Sequence, residues 1–383
     1  MSLTTPTKTT IPVARPFVGR EEEEAVLQVL RSGWLSQGQR VAEFESHFAE
    51  YVGSKHAVAV SSCTTALHLA LVAAGIGSGD EVLCPSLSFI ATANSIRYVG
   101  ATPVFVDIDP VTFNLDPNRS EEAITPRTRA ILVVHQIGLP AALSEILDIA
   151  HRHNLIVVED AACAIGSAYQ GQRIGLPYAD LACFSFHPRK ILTTGEGGML
   201  TTADEQVAAR LRRLRQHAMT TSDLARHQSQ SVMAEAYDEI GYNYRMTDVQ
   251  AALGLVQLRR LDGFLARRRA LALRYSVALA KLGWLTPPQE PSGCRHNFQS
   301  YMARLRPDAP ISRDALMQKL LDRGISTRRG IMAIHREPPY LDPRWEKQLP
   351  ETNAVTDHAL ILPLFHQMTE QEQDYVIECI REI

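Results

Sequence analysis

Closely spaced cysteines are missing from this chain. Its six, Cys63, Cys84, Cys163, Cys183, Cys294 and Cys379, are scattered and form no Cys-x-x-Cys pair. That pattern argues against a disulfide framework and against a zinc site, and leaves reduced thiols as the expectation. Long apolar runs are missing too, since no stretch approaches the roughly 18 apolar residues of a membrane span. The opening residues Met1-Ser2-Leu3-Thr4-Thr5-Pro6-Thr7 lack the apolar segment of a secretory signal. A soluble, cytoplasmic protein without a membrane partner is expected. Charge of one sign is likewise scarce: 39 Lys and Arg face 42 Asp and Glu, a net charge of -3. No long basic run interleaved with aromatics tracks a phosphate backbone, so nucleic acid is not an expected partner. The densest basic stretch, Ala266-Arg267-Arg268-Arg269, sits in a helical pattern and reads as a solvated face.

What the chain does have is material for a large core, with 45% hydrophobic and 21% charged residues. Its 383 residues exceed what one simple core usually holds, so a large domain plus a smaller one is expected. Residues 1–16 are rich in Thr and Pro and read as a flexible arm. Helical spacing follows over 21–30 and 41–51, the second with Val41, Phe44, Phe48 and Tyr51 on one face. From 57 to about 202, short β-rich runs at 57–60, 81–84, 103–106, 130–134, 155–158 and 181–184 alternate with helical patterns. That rhythm predicts an α/β fold whose large domain, 17–246, holds a mostly parallel, helix-covered sheet. Thr247 with Gln250 forms a capping-box signature that opens a long helix and marks the predicted junction. The remainder, 247–383, reads as a smaller C-terminal α+β domain, closed by a helix that Thr369 and Glu372 open.

In such sheets, ligands gather at the carboxyl ends of the strands. The run at 155–158 leads straight into Glu159-Asp160, which places a carboxylate at that edge. Thirty residues on, the run at 181–184 delivers Ser185 and, in Phe186-His187-Pro188-Arg189-Lys190, an amine. Pyridoxal phosphate accounts for the pairing: a lysine holds its aldehyde, and an anion keeps its pyridine nitrogen protonated. Its phosphate needs clustered N–H and hydroxyl donors at a helix start, and Ser61-Ser62-Cys63-Thr64-Thr65 supplies them.

Several motifs then occur in order: Ser32-Gly33-Trp34-Leu35, Pro85-Ser86-Leu87-Ser88-Phe89, Glu159-Asp160-Ala161-Ala162, Lys190 with Gly195-Glu196-Gly197-Gly198, and Gly241-Tyr242-Asn243-Tyr244-Arg245-Met246-Thr247-Asp248. With them the chain resembles, almost end to end, the DegT/StrS family of sugar aminotransferases, which have the fold-type I architecture. The resemblance implies a Schiff base on Lys190, Asp160 on the pyridinium nitrogen, and Phe89 stacked on the ring. It also implies Ser185 and the Cys63-Thr64 turn on the phosphate, and Asn243 reaching the phosphate of a neighbouring subunit, so that two chains share their sites in a homodimer.

Cys63 stands where the family commonly has a glycine. Cys163 stands where a glutamine or histidine commonly contacts the cofactor's phenolic oxygen, and a thiol is a weaker partner. Trp34, His187 and His335 are candidates to line the substrate pocket; no metal site is expected. The implied activity carries an amino group from glutamate or glutamine to a keto group of a nucleotide-linked sugar, through pyridoxamine phosphate. A keto-cyclitol or other natural-product ketone is an alternative acceptor. A sugar dehydratase of the same fold would carry a histidine in place of Lys190, and a non-catalytic regulatory protein would have little use for Lys190, Asp160 and Ser185. Burial and a cationic cofactor are both expected to lower the pKa of Lys190.

Overall fold

The computed structural model describes residues 10–175, 178–221, 226–227, 231 and 234–383. The short aliphatic runs become strands β1 His56–Val60, β2 Glu81–Pro85, β3 Thr102–Val106, β4 Thr128–Val134, β5 Ile156–Asp160 and β6 Leu181–Ser185. A seventh, β7 Gly198–Thr202, was not foreseen from the pattern. Their order across the sheet is β1-β7-β6-β5-β4-β2-β3. β7 runs antiparallel to both β1 and β6, and the other pairings are parallel. The sheet is therefore mostly parallel, as predicted.

Period-two alternation sorts the strand residues onto two faces. Ala57, Ala59, Ile131, Val133 and Val157 join one apolar core, while Val58, Val60, Ala130, Leu132 and Val158 join the other. Helices cover both faces, which is why the strands read as continuous apolar runs and not as an apolar-polar alternation. Because β1, β5 and β6 point the same way, their carboxyl ends share one edge. There Gly198 is paired with Val60 on one side and Ser185 on the other.

A second, antiparallel sheet of four strands has the order Leu285–Thr286, Tyr301–Leu305, Ala359–Leu362, Arg328–Arg329. Helices Arg313–Asp322 and Glu370–Arg381 pack on its core. The predicted capping box is complete: the Thr247 side chain accepts from the Gln250 N–H, and the Gln250 side chain accepts from the Thr247 N–H. The helix it opens, Asp248–Leu279, gives Leu255, Leu258 and Leu261 to the first core and Leu271, Tyr275 and Leu279 to that of the small sheet. Residue 247 therefore opens a helix that both cores share.

The arm expected over 1–16 is fixed in its described part. Ile11 is buried and bridges to Ile325, donating to the Gly324 carbonyl at 2.8 Å and accepting from the Ser326 N–H at 2.9 Å. A buried apolar side chain beside open backbone donors and acceptors offsets the entropy of ordering the segment. Residues 1–9 of that arm lie outside the described residues. Among the described residues, no helix is long and apolar enough to cross a membrane.

Candidate active site

The loop after β6 is held from several directions. The Phe186 carbonyl accepts from Thr193 Oγ1 at 2.8 Å and from the Thr194 N–H at 3.0 Å, and the Lys190 N–H donates to the His187 carbonyl at 2.8 Å. Ile191 and Leu192 are buried beneath it. Lys190 is thereby aimed into a cavity of about 920 Å³ that Cys63, Thr64, Phe89, Asp160, Cys163 and Ser185 also line. Its Nζ donates to Cys163 Sγ at 3.0 Å. Burial acts to lower the Lys190 pKa, as expected, but the Cys163 sulfur, with Cys63 and Asp160, outweighs it and holds the ammonium above the ordinary lysine value. The lowered pKa expected from the sequence is thus not that of the protein by itself.

Asp160 is buried at the end of β5. Its Oδ2 accepts from Thr92 Oγ1 at 2.9 Å and its Oδ1 from the Ala162 N–H at 3.2 Å. Burial raises its pKa; the Thr92 and Ala162 hydrogen bonds, Lys190 and His135 offset only part of that. A carboxyl in this state gains strongly from a cation placed against it. Beside it, His135 is buried and its Nδ1 accepts from the Ala141 N–H at 3.1 Å. That leaves Nε2 to donate to Glu159 Oε2 at 2.7 Å.

The turn after β1 leaves its donors open. Ser62 caps the helix Cys63–Ala73 by accepting from the Thr65 N–H at 3.2 Å, and Thr65 Oγ1 takes the Ser62 N–H at 3.1 Å. The N–H groups of Cys63 and Thr64, in the first turn, have no intrahelical acceptor. Cys63 is buried, with its sulfur 3.7 Å from the Cys183 carbonyl oxygen. At Gly198 a Cβ would stand 2.5 Å from the carbonyl carbon and oxygen of Ser62. Gly198→Ala should therefore push this turn outward, lowering stability by about 1–3 kcal/mol and weakening cofactor binding; paired melting and cofactor-titration curves check it.

Pyridoxal phosphate fits these residues: open backbone donors at a helix start for its phosphate, a buried carboxyl without a salt bridge of its own for its ring nitrogen, and an amine in the same cavity. Ser185 lines the same cavity, its Oγ accepting from the His187 N–H at 3.5 Å. Phe89, 63% exposed, presents its ring there. His187 also lines the cavity, and burial lowers its pKa.

Three predicted residues are not brought to this cavity. His335 is buried in packing: its Nδ1 lies 2.7 Å from Ser86 Oγ, and its Nε2 donates to Asn353 Oδ1 at 3.1 Å. Trp34 donates from Nε1 to the Gln37 carbonyl at 3.3 Å and packs on His227. Asn243 is exposed, and its Oδ1 accepts from Arg245 Nη2 at 3.4 Å. Sequence reasoning also missed Thr92 and His135, which line the cavity. Thr92 sits on a helix whose sequence gives no sign of its role, but His135 directly follows β4 and could have been found as a polar residue at the carboxyl edge.

A model of the DegT/DnrJ/EryC1/StrS aminotransferase family matches residues 16–381. The GDP-perosamine synthase of Caulobacter vibrioides is 44% identical over 375 residues, 97% of this chain and 98% of its own. Among solved structures, the aminotransferase TlmJ from Streptoalloteichus hindustanus superposes with a TM-score of 0.89 at 36% identity, covering 97% of this chain and 98% of its own. The PLP form of Spr1654 from Streptococcus pneumoniae also superposes with a TM-score of 0.89, at 29% identity over 97% of this chain and 98% of its own.

Proposed function

The chain belongs to the DegT/DnrJ/EryC1/StrS aminotransferase family, and from that premise we propose that it carries an amino group from glutamate or glutamine to a keto group of a nucleotide-linked sugar. It is a pyridoxal-phosphate-dependent aminotransferase. The observation that carries the reading is the convergence of the Lys190 amine, the Asp160 carboxyl and the open Cys63-Thr64 turn in one cavity. The nucleotide-linked acceptor is supported by the Caulobacter vibrioides relative, which is a GDP-perosamine synthase.

Cys63, Thr64 and Ser185 would hold the phosphate, Asp160 the ring nitrogen, Phe89 a ring face and Lys190 the aldehyde. Bound there, pyridoxal phosphate supplies an aldehyde that takes up the donor's nitrogen and a ring that accepts an electron pair. Lys190 Nζ then acts as general base at the donor's α-carbon and afterwards as general acid, holding the proton between the two positions. Cys163 Sγ, 3.0 Å from Nζ, steers that amine while it is free. Toward the keto acceptor, the same groups work in the reverse order. Our reading is of a cytoplasmic homodimer: the six cysteines are free, as a reducing compartment would keep them. In that homodimer Asn243, which lies outside the cavity of its own chain, would reach the phosphate in the partner's.

Protein loaded with pyridoxal phosphate should lose its visible absorbance on adding glutamate or glutamine and regain it with a nucleotide-linked keto sugar. Recovery with keto-cyclitols alone would move the acceptor to that class. No change with any amino donor would sink the reading.

A further inference from the structure

Two arginines that line the cavity have no acidic partner, Arg189, which precedes Lys190 in the chain, and Arg328. The backbone of Arg189 is pinned on both sides: its N–H donates to His187 Nδ1 at 3.2 Å, and its carbonyl accepts from Gln299 Nε2 at 2.7 Å. Arg328 stands on the edge strand Arg328–Arg329, paired with Ile361 of the small sheet. Its neighbour Arg329 has Glu337 at 3.9 Å. Among the described residues, neither the Arg189 nor the Arg328 side chain has a carboxylate or hydrogen-bond partner, and both act electrostatically on His187, which Glu196 also faces. Burial and the facing Arg328 lower the pKa of Arg189. Both side chains are exposed to solvent, which screens their mutual repulsion, but they line one cavity with no salt bridge of their own and so stand open to a ligand's anion.

We propose that Arg189 and Arg328 form an anion subsite that receives a carboxylate of the amino donor and selects a dicarboxylic amino acid, glutamate, over its amide. The inference rests on the aminotransfer reading, because it places the donor's nitrogen at Lys190. Arg189 is the residue next to that lysine, and the carboxylates of an amino acid lie only a few bonds from its nitrogen. The phosphates of a nucleotide-linked sugar lie beyond the sugar ring, farther from the reacting carbon. The wall carries more positive than negative charge, so a donor with two carboxylates matches it better than one with a carboxylate and an amide.

The test uses glutarate, which has both carboxylates and no amine, titrated calorimetrically into the cofactor-loaded protein, with GDP titrated in parallel. Arg189→Gln and Arg328→Gln should each weaken glutarate binding about tenfold, as expected for losing a charge-assisted hydrogen bond, with Arg189→Lys intermediate and GDP binding little changed. The preference for glutamate over glutamine in the donor half-reaction should fall in step. Melting temperatures near that of the parent protein show that the variants fold, as expected for side chains without internal partners. Unaltered glutarate binding in both variants overturns the proposal, and so does a loss confined to GDP. If the parent protein binds glutarate through these arginines but transaminates no amino acid, the aminotransfer reading fails and the anion subsite remains.

Discussion

Lys190→Ala is expected to yield a protein that still binds pyridoxal phosphate but no longer holds it covalently, with transamination lower by at least roughly 10²–10⁴-fold, the share that proton transfer alone contributes. Asp160 with its Thr92 and Ala162 contacts, the Cys63-Thr64 turn and Phe89 are untouched by the change, so the pocket keeps its shape. What goes is the nitrogen that joins the aldehyde and shuttles the proton. Borohydride reduction followed by mass measurement reads the linkage directly: the parent protein should gain one cofactor on the peptide containing residue 190, and the variant none. A variant that keeps the adduct, or turns over at the parent rate, would mean another amine carries the chemistry. A small added amine should restore part of the proton transfer without restoring the linkage.

The residues that make this prediction possible were readable because parallel sheets are locally legible. Aliphatic runs such as 130–134 and 181–184 announce buried strands, and whatever polar residue follows them stands at the carboxyl edge. Asp160, Ser185 and Lys190 were found in that way, and the family's motifs sharpened their roles. β7 escaped because its direction is set by long-range pairing: nothing within Gly198–Thr202 says that it lies antiparallel between β1 and β6. The need for glycine at 198 follows from that placement against Ser62, not from any local turn. Ile11 escaped for a related reason, since its partner Ile325 is more than three hundred positions away. His335 illustrates the opposite case. A histidine in a motif suggests chemistry, but whether it faces a cavity or packs against Ser86 and Asn353 is decided by the tertiary structure.

Asp160→Asn separates what helps the fold from what helps the reaction. In the protein without cofactor, burial of the Asp160 carboxylate is unfavourable and its pKa lies above the ordinary aspartate value. A group shifted in that direction stabilises most when protonated, below the unfolded-state pKa, and that stability is lost as pH rises through the raised value. At neutral pH the asparagine, which is neutral and nearly the same shape, should therefore leave the melting temperature of the cofactor-free protein no lower. Cofactor binding reverses the balance, because the carboxylate then faces the ring nitrogen in a buried site. Removing one partner of such a pair costs about 3–5 kcal/mol, so the donor half-reaction should slow by roughly 10²–10⁴-fold while the Lys190 linkage survives reduction and mass analysis. Melting curves with and without cofactor, set beside stopped-flow rates with glutamate, read both halves. A variant that destabilises the cofactor-free protein as much as the loaded one would make Asp160 a structural residue; a variant with parent rates would remove it from the chemistry. An unchanged cofactor-free fold with a slowed reaction would show a carboxyl whose burial works against stability and serves the ring nitrogen.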